Sequence, residues 1–109
     1  MKFPRFHPKA WEEFNSALRY YAVNAGSKVT QQFEQCFYES LKSIQAAPLL
    51  YRQRENGIRR VNLEAPFTEW YIAYLLDTAV PLVVALGHAK RMPHYFLNRL
   101  GDAGNPEWL

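Results

Sequence analysis

The pattern of apolar positions in the first half of the chain predicts two amphipathic helices that form a hairpin. Apolar side chains recur at spacings of three and four, and Gly26 divides them into two runs because it can take the left-handed conformation that ends a helix. Pro8 suits the first turn of the first helix, Ser27 is a candidate N-cap of the second, and Pro48 ends it. The stripes are Trp11, Phe14, Leu18 and Tyr21, then Val29, Phe33, Cys36, Phe37, Leu41 and Ile44.

The second half of the chain predicts a small sheet. Residues 58–64 alternate between apolar and polar side chains, residues 67–77 are rich in aromatic and β-branched types, and residues 82–88 form a nearly continuous apolar run. Residues 3–7 add a short strand, which Pro4 restricts to a sheet edge because proline cannot donate a ladder hydrogen bond. Short links between the last three strands favour antiparallel pairing.

The predicted fold class is therefore α+β, with an N-terminal strand and an α-helical hairpin packed on a three- to four-stranded antiparallel sheet. Apolar side chains at 96–100, after Pro93, predict a short C-terminal helix. A length of 109 residues fits one domain, which we place at residues 1–100. The Gly- and Pro-containing segment 101–109 is expected to be a mobile tail.

Composition narrows the class of protein. A single cysteine, Cys36, excludes an internal disulfide and a cysteine-rich zinc site, so we expect a cytoplasmic protein. We expect neither a metal nor a cofactor. The N-terminal residues contain no apolar stretch long enough for a signal peptide, and no apolar run is long enough to span a membrane. The net charge is only +3, so the placement of charge matters more than its sum.

Two cationic stretches carry the candidate functional residues. The first follows the apolar strand and contains His88, Lys90, Arg91, His94, Tyr95 and Arg99. The second is the segment 52–60, which ends in Arg59 and Arg60. Cations fixed at the end of a rigid strand can meet an anionic or acidic partner in a defined geometry. We expect the sheet to bring the two stretches together at one end of the fold.

These residues also have structural interpretations. His88 could face the core and bond to a backbone carbonyl, because it has the same strand parity as Leu86. Arg91 and Arg99 could cap backbone carbonyls or pair with Asp102. The alternatives remain open at the level of the sequence.

The arginines of the second stretch have alternatives as well. Arg59 could project to the rim of the sheet, or it could bridge to Glu64 or Glu69. Arg60 faces the other way and is expected to be exposed to solvent. As a charge run, the segment 52–60 is typical of a solvated loop.

Three short motifs, in order along the chain, point to a family. They are His7-Pro8 with Ala10 at the first helix, Gly57-Ile58-Arg59-Arg60 at a strand, and His88-x-x-Arg91-x-Pro93-x-Tyr95 after the last strand. With the surrounding segments FHPKAWEEFNSALRYY, FYESLKSIQAAPLLY, GIRRVNL and VVALGHAKRMPHYFLNR, they span residues 3–100. In these features the chain resembles the RelE/ParE superfamily of toxins from type II toxin–antitoxin systems.

The resemblance implies a small bacterial toxin that is neutralised by a cognate antitoxin. RelE-like members cut messenger RNA on the ribosome, whereas ParE-like members block DNA gyrase without a known hydrolytic site. The stretch HAKRM at residues 88–92 is similar to ParE-like endings, which favours the branch without catalysis. A member that binds an antitoxin but is not toxic is a third alternative.

The resemblance also implies roles for particular residues. In an RNA-cleaving branch the catalytic candidates are His94, Tyr95, Arg91 and Arg59. Candidates for contact with the target or with phosphate are Arg59, Arg60, His88, Lys90, Arg91 and Arg99. Leu49, Leu50 and Tyr51 follow the second helix without an evident place in the core, so they are candidates for an antitoxin interface or a plug of the hairpin end. An antitoxin segment could bind by strand addition or by helix docking.

Overall fold

The computed structural model describes residues 4–77, 80–91 and 95–102, which form two helices packed on a four-stranded sheet. The strands are β1 (Arg5–Phe6), β2 (Arg59–Asn62), β3 (Trp70–Asp77) and β4 (Val80–His88). The helices are α1 (Pro8–Asn24) and α2 (Ser27–Ala46), and short 3-10 turns cover Glu55–Gly57 and Leu97–Asp102. The predicted α+β architecture, including a short helical turn near the C-terminus, is confirmed.

The chain reverses direction between the two helices at Gly26. Its φ of 88° lies in the region that favours glycine, and its N–H donates to the carbonyl of Tyr21 at 3.0 Å. Gly26 also serves as the N-cap of α2, and Ser27 is already the first residue of that helix. The predicted N-cap role of Ser27 is therefore wrong, because one glycine both ends α1 and starts α2.

The sheet has the strand order β1-β4-β3-β2. The pairs β2–β3 and β3–β4 are antiparallel, as predicted, whereas β1 runs parallel to β4. The sheet is thus mixed rather than wholly antiparallel. No tight turn joins β1 to β4, so nothing in their connection requires antiparallel pairing.

A β-bulge interrupts the apolar run of β4. Ala73 pairs with Ala85 whereas Tyr74 pairs with Val83, so Val84 is an extra residue on β4. Val84 and Ala85 consequently pack in the same apolar cluster. The alternation of faces that the sequence indicates for this strand breaks at that point.

Apolar clusters cover both faces of the sheet. On the helix face, the rings of Phe14 and Phe37 stack with a centroid distance of 4.0 Å in the cluster that joins the helices to the strands. On the opposite face, here called the far face, Phe96 from the C-terminal segment packs with Tyr71 and Val84. The C-terminal segment therefore packs on the sheet as far as Leu100.

The mobile tail is predicted at residues 101–109, of which residues 103–109 lie outside the described residues, as does His94. Within the described ranges, neither helix is long and apolar enough to cross a bilayer.

Candidate functional site

The edge of β4 beyond β1 is capped by side chains instead of a strand. β1 pairs with Leu82 and Val83 only, and the next carbonyl, that of the bulged Val84, accepts a hydrogen bond from Arg99 Nη1 at 3.1 Å. The N–H of Leu86 donates to Glu13 Oε1 at 3.2 Å. Because buried backbone groups need partners, these contacts allow β4 to continue to His88 without a second strand on the side of β1.

The carboxylate of Glu13 gathers the cations and the phenol of the C-terminal segment. Its Oε2 accepts from the hydroxyl of Tyr95 at 2.6 Å and from Arg91 Nη1 at 2.9 Å, and its Oε1 accepts from Arg99 Nη1 at 2.9 Å. We call these four residues, Glu13, Arg91, Tyr95 and Arg99, the Glu13 cluster. One carboxylate faces two guanidinium groups, so the cluster keeps one positive charge in excess.

Burial distinguishes the two arginines of the cluster. The side chain of Arg99 is 9% exposed and that of Glu13 is 13% exposed, whereas that of Arg91 is 51% exposed. Arg99 therefore holds the fold together, through the carboxylate and the carbonyl of Val84. Of the two structural alternatives for Arg99, carbonyl capping is confirmed, and among the described side chains Glu13 supplies a carboxylate that pairs with it.

Glu13 is the site residue that sequence reasoning missed. The periodicity places Glu13 off the apolar stripe of α1, so the sequence predicts that its side chain faces solvent. A signal was nevertheless present, because Glu13 lies three residues after Ala10 and four before Ala17, both of which are buried. Small buried residues at that spacing indicate a close approach of the helix to another element, which here is β4.

Tyr95 is held as a neutral phenol. Burial raises its pKa well above the usual tyrosine value, and the hydrogen bond to Glu13 and the charge of that carboxylate raise it further. Its ring also supports Arg91, whose guanidinium carbon lies 3.7 Å from the ring centroid. In this arrangement the hydroxyl of Tyr95 donates a hydrogen bond to Glu13. Because the hydroxyl keeps its proton, Tyr95 is not available as a base.

Both ring nitrogens of His88 are engaged within the fold. Nε2 lies 3.0 Å from Glu69 Oε2, and Nδ1 accepts from the N–H of Lys90 at 3.1 Å. The ring packs edge-on against Trp70 with a centroid distance of 4.8 Å. The bond to a backbone carbonyl, which was one of the alternatives for His88, is not among these contacts, since a carboxylate and a backbone N–H occupy the two nitrogens instead. His88 thus fixes the turn that presents Lys90 and Arg91.

Arg59 does not reach the Glu13 cluster. It pairs with Tyr74 of β3, whereas His88 pairs with Trp70, and four residues of strand separate these positions by roughly 13 Å. Its Nη1 donates to the carbonyl of Tyr51 at 2.6 Å, so it bridges to neither of the glutamates considered from the sequence. The expectation that both cationic stretches emerge at one end is therefore wrong for Arg59, because β2 begins at the end of β3 distant from Trp70.

Arg60 approaches the cluster across the far face. Its guanidinium carbon lies 3.7 Å from the ring centroid of Tyr71, and it is half-buried rather than exposed. Burial raises the pKa of Tyr71, and the positive charges of Arg60, Arg91 and Arg99 oppose that rise. The charges of Arg60 and of the Glu13 cluster therefore both act on the pKa of Tyr71.

A groove of about 720 Å³ lies beside the cluster, between α1 and the paired ends of β3 and β4. Tyr20, Tyr21 and Trp70 contribute aromatic walls, and Lys90 and Arg91 lie at the same groove. Trp70 Nε1 donates to the hydroxyl of Tyr21 at 2.9 Å, which joins the sheet to the helix behind the groove. A partner in this groove would contact aromatic and cationic groups together.

The segment after α2 is anchored but leaves two leucines in solvent. Tyr74 donates to the carbonyl of Pro48 at 2.6 Å, and burial raises the pKa of Tyr74 to about 12. Leu49 and Leu50 are 70% and 73% exposed. They therefore do not plug the end of the hairpin, whereas the half-buried Tyr51 packs against the core.

The sequence matches a known family of proteins. A family model described as the ParE toxin of the type II toxin–antitoxin system parDE matches residues 5–93. This chain belongs to the ParE toxin family. The expected membership of the RelE/ParE superfamily, on the ParE-like side, is thereby confirmed.

The fold is shared with a solved structure. The structure of a chromosomal ParDE toxin–antitoxin system from P. aeruginosa is similar to this ParE-family chain with a TM-score of 0.65 and 19% sequence identity. The match covers 76% of this chain and 90% of the other. No curated protein matches this chain significantly.

Proposed function

We propose that this ParE-type toxin inhibits growth by binding DNA gyrase, and that a cognate antitoxin neutralises it in the cytoplasm. The observation that carries the proposal, beside the family, is that Tyr95 and His88, the side chains of the C-terminal stretch that could transfer a proton and that the structure describes, are engaged in internal contacts. Tyr95 donates to Glu13, and both nitrogens of His88 are occupied. A toxin with this site acts by binding rather than by cleavage.

The requirements of RNA cleavage sharpen this argument. Attack by a 2′-hydroxyl needs a base for its proton, an acid for the leaving oxygen, and cations near the phosphate. Because the pKa of Tyr95 is raised, its hydroxyl stays protonated, which opposes its use as the base for the 2′-hydroxyl. The same raised pKa opposes transfer of that proton to a leaving oxygen in place of the hydrogen bond to Glu13. Arg59, a candidate cation for that chemistry, binds the carbonyl of Tyr51 at a distance from the cluster.

For the target surface, we propose that Lys90 and Arg91 make the direct contacts. Lys90 is exposed, and Arg91 donates one hydrogen bond to Glu13 while its guanidinium has five N–H groups. The excess positive charge of the Glu13 cluster favours an acidic surface on the target. His88 and Arg99 act in this proposal as supports that orient the two contact residues.

For the antitoxin, we propose contacts with Leu49 and Leu50 and with the aromatic groove beside α1. Adjacent leucines that are 70% and 73% exposed would lose unfavourable contact with water when a partner covers them. The groove of about 720 Å³ offers aromatic walls to an apolar side of a docking segment.

Induction of the chain in a bacterium tests the proposal. The expected result is growth arrest with DNA damage and intact messages, relieved when the neighbouring reading frame is co-expressed. Cleaved transcripts that appear before any DNA damage would instead place the chain with the RNA-cutting toxins. Normal growth, with tight binding of the neighbouring gene product, would identify a non-toxic antitoxin-binding protein.

A further inference from the structure

The turn after β4 contains one hydrogen bond that depends on the protonation state of a side chain. Two backbone bonds hold the turn, from the N–H of Ala89 to the carbonyl of Glu69 at 2.8 Å and from the N–H of Arg91 to the carbonyl of His88 at 2.9 Å. The N–H of Lys90, between them in sequence, donates instead to Nδ1 of the His88 ring at 3.1 Å. Only an unprotonated ring nitrogen can accept this bond.

Glu69 favours the tautomer that this bond requires. Its Oε2 lies 3.0 Å from Nε2 of His88, and a carboxylate accepts from an N–H, so the single proton of a neutral ring belongs on Nε2. Nδ1 is then the acceptor that the N–H of Lys90 needs. The edge-on contact with Trp70, at a centroid distance of 4.8 Å, restricts rotation of the ring away from these two partners.

A second proton on the ring would reverse the role of Nδ1. The imidazolium has an N–H at both nitrogens, so Nδ1 and the N–H of Lys90 would become two donors that face each other. The contact of Nε2 with Glu69 would meanwhile become an ion pair. That gain is small, because the side chain of Glu69 is 64% exposed to water. Protonation of His88 therefore loosens the turn at Lys90.

We propose that Glu69 and neutral His88 form a positioning pair for Lys90 and Arg91, and that protonation of His88 weakens the binding of this toxin to its target. The inference rests on the proposed function, because Lys90 and Arg91 are its proposed target contacts. Both follow His88 within the same turn, so loss of the bond at Nδ1 acts on the contact surface itself. Histidine is the residue type that ordinarily changes charge between about pH 5 and pH 8.

Other ionisable groups adjoin the ring and have to be separated from it. Lys90 and Arg91 follow it in the turn, and α1 and the C-terminal segment bring further groups to the same groove, namely Lys9, Glu12, Glu13, Tyr20, Tyr21 and Arg99. Nδ1 of His7 also accepts a backbone bond, from the N–H of Lys9 at 3.1 Å, at the start of α1. Variants of residue 88 retain all of these groups, so a response to pH that disappears with the substitution belongs to His88.

Two substitutions each retain one of the two contacts of the ring. His88→Asn places an amide oxygen near the position of Nδ1, where it can accept from the N–H of Lys90 at any pH. His88→Gln places an amide N–H near the position of Nε2, where it can donate to Glu69, and removes the acceptor for Lys90. Thermal unfolding verifies that each full-length variant is folded.

NMR on the full chain tests the effect on the turn. At about pH 8 the nitrogen chemical shifts of His88 should show a neutral ring with its proton on Nε2. As the pH is lowered to about 5.5, the amide proton of Lys90 should shift with the same midpoint as His88 and exchange faster with solvent, and His88→Asn should abolish this midpoint. A proton on Nδ1 at the higher pH, a ring that stays neutral throughout, or a Lys90 amide that does not follow His88 would overturn the proposal.

Affinity for purified DNA gyrase tests the effect on binding. Wild type should bind about fivefold more weakly at about pH 6 than at about pH 8, the loss expected of one hydrogen bond. The affinity of His88→Asn should change by less than about twofold over this range, whereas His88→Gln should bind weakly at both values. Equal pH dependence of wild type and His88→Asn would contradict a role of His88 in binding. Gyrase that binds none of these chains would refute the proposed target and the binding part of this inference, and the NMR titration decides the effect on the turn independently.

Discussion

Glu13 and Arg99 form a pair in which each side chain also binds the backbone of β4. The ion pair spans 2.9 Å, while Glu13 accepts from the N–H of Leu86 and Arg99 donates to the carbonyl of Val84. The pair therefore replaces a missing edge strand and attaches the C-terminal segment to α1. It also sets the position of Arg91, which shares the same carboxylate.

The first prediction concerns the stability that this pair provides. Glu13→Gln retains the shape of the side chain but leaves Arg99 buried without a counter-charge, so we expect a loss of about 3 kcal/mol in the free energy of unfolding. Urea denaturation measures it. Glu12→Gln, at an exposed neighbouring position, should change stability by less than about 0.5 kcal/mol. Equal stability of the two variants would show that the cluster contributes little.

The second prediction concerns alkaline pH. Burial raises the pKa of Tyr74 from 10.0 to about 12, so the unfolded chain loses this proton more readily than the folded chain. The resulting stability is present below pH 10 and is lost as the pH rises toward 12. The urea midpoint should fall over this range, and less steeply in Tyr74→Phe. Tyr20→Phe, at a ring that is 59% exposed, is the control. An unchanged slope in Tyr74→Phe would contradict the account.

The third prediction concerns the crossing of Tyr71 over Gly87. A Cβ at position 87 would lie 2.2 Å from Tyr71 Cζ, so Gly87→Ala should destabilise the fold by about 1–3 kcal/mol. The cost should shrink in a Tyr71→Ala background, because the clash partner is gone. A double-mutant cycle measures this coupling. Additive effects of the two substitutions would mean that the clash is not the cause.

Much of this fold follows from the sequence for identifiable reasons. The spacing of Phe14 and Phe37 along their helices determines which faces pack, and the β-branched and aromatic content of 67–77 determines a strand. The parallel pairing of β1 could not be derived, since it depends on where the rest of the chain leaves the edge of β4. The bulge at Val84 was also hidden, because an apolar run looks the same with or without an extra residue.

The candidate site was only partly visible in the sequence. The pattern located His88, Lys90 and Arg91 near one another, since a single turn after β4 holds them. It could not locate Glu13, because its partners lie 73 to 86 residues away along the chain. It also misplaced Arg59, whose position depends on the direction of β2 in the sheet.

The fourth prediction concerns the antitoxin. Replacing both exposed leucines, Leu49→Ser with Leu50→Ser, should weaken binding of the cognate antitoxin about tenfold or more without lowering stability, because both side chains lie in solvent. Calorimetric titration measures the affinity. Val23→Ser, at an apolar side chain that is 83% exposed, is the matched control. Full affinity in the leucine variant would remove this segment from the proposed interface.

The fifth prediction concerns Arg91. Because its side chain is 51% exposed, Arg91→Gln should cost less than about 1 kcal/mol in stability, yet it should abolish most of the growth arrest. Arg52→Gln, at another exposed arginine, should remain as toxic as wild type. Growth curves after induction, paired with urea denaturation, separate lost function from lost fold. Full toxicity of the Arg91 variant would exclude it as a target contact.

The supercoiling activity of purified DNA gyrase, measured in the presence of the purified chain, tests whether this toxin acts on gyrase. The account predicts inhibition by wild type, weaker inhibition by Arg91→Gln, and relief on addition of the cognate antitoxin. Gyrase that is unaffected by a folded, growth-arresting chain, together with cut messenger RNA from ribosomes exposed to it, would contradict the account.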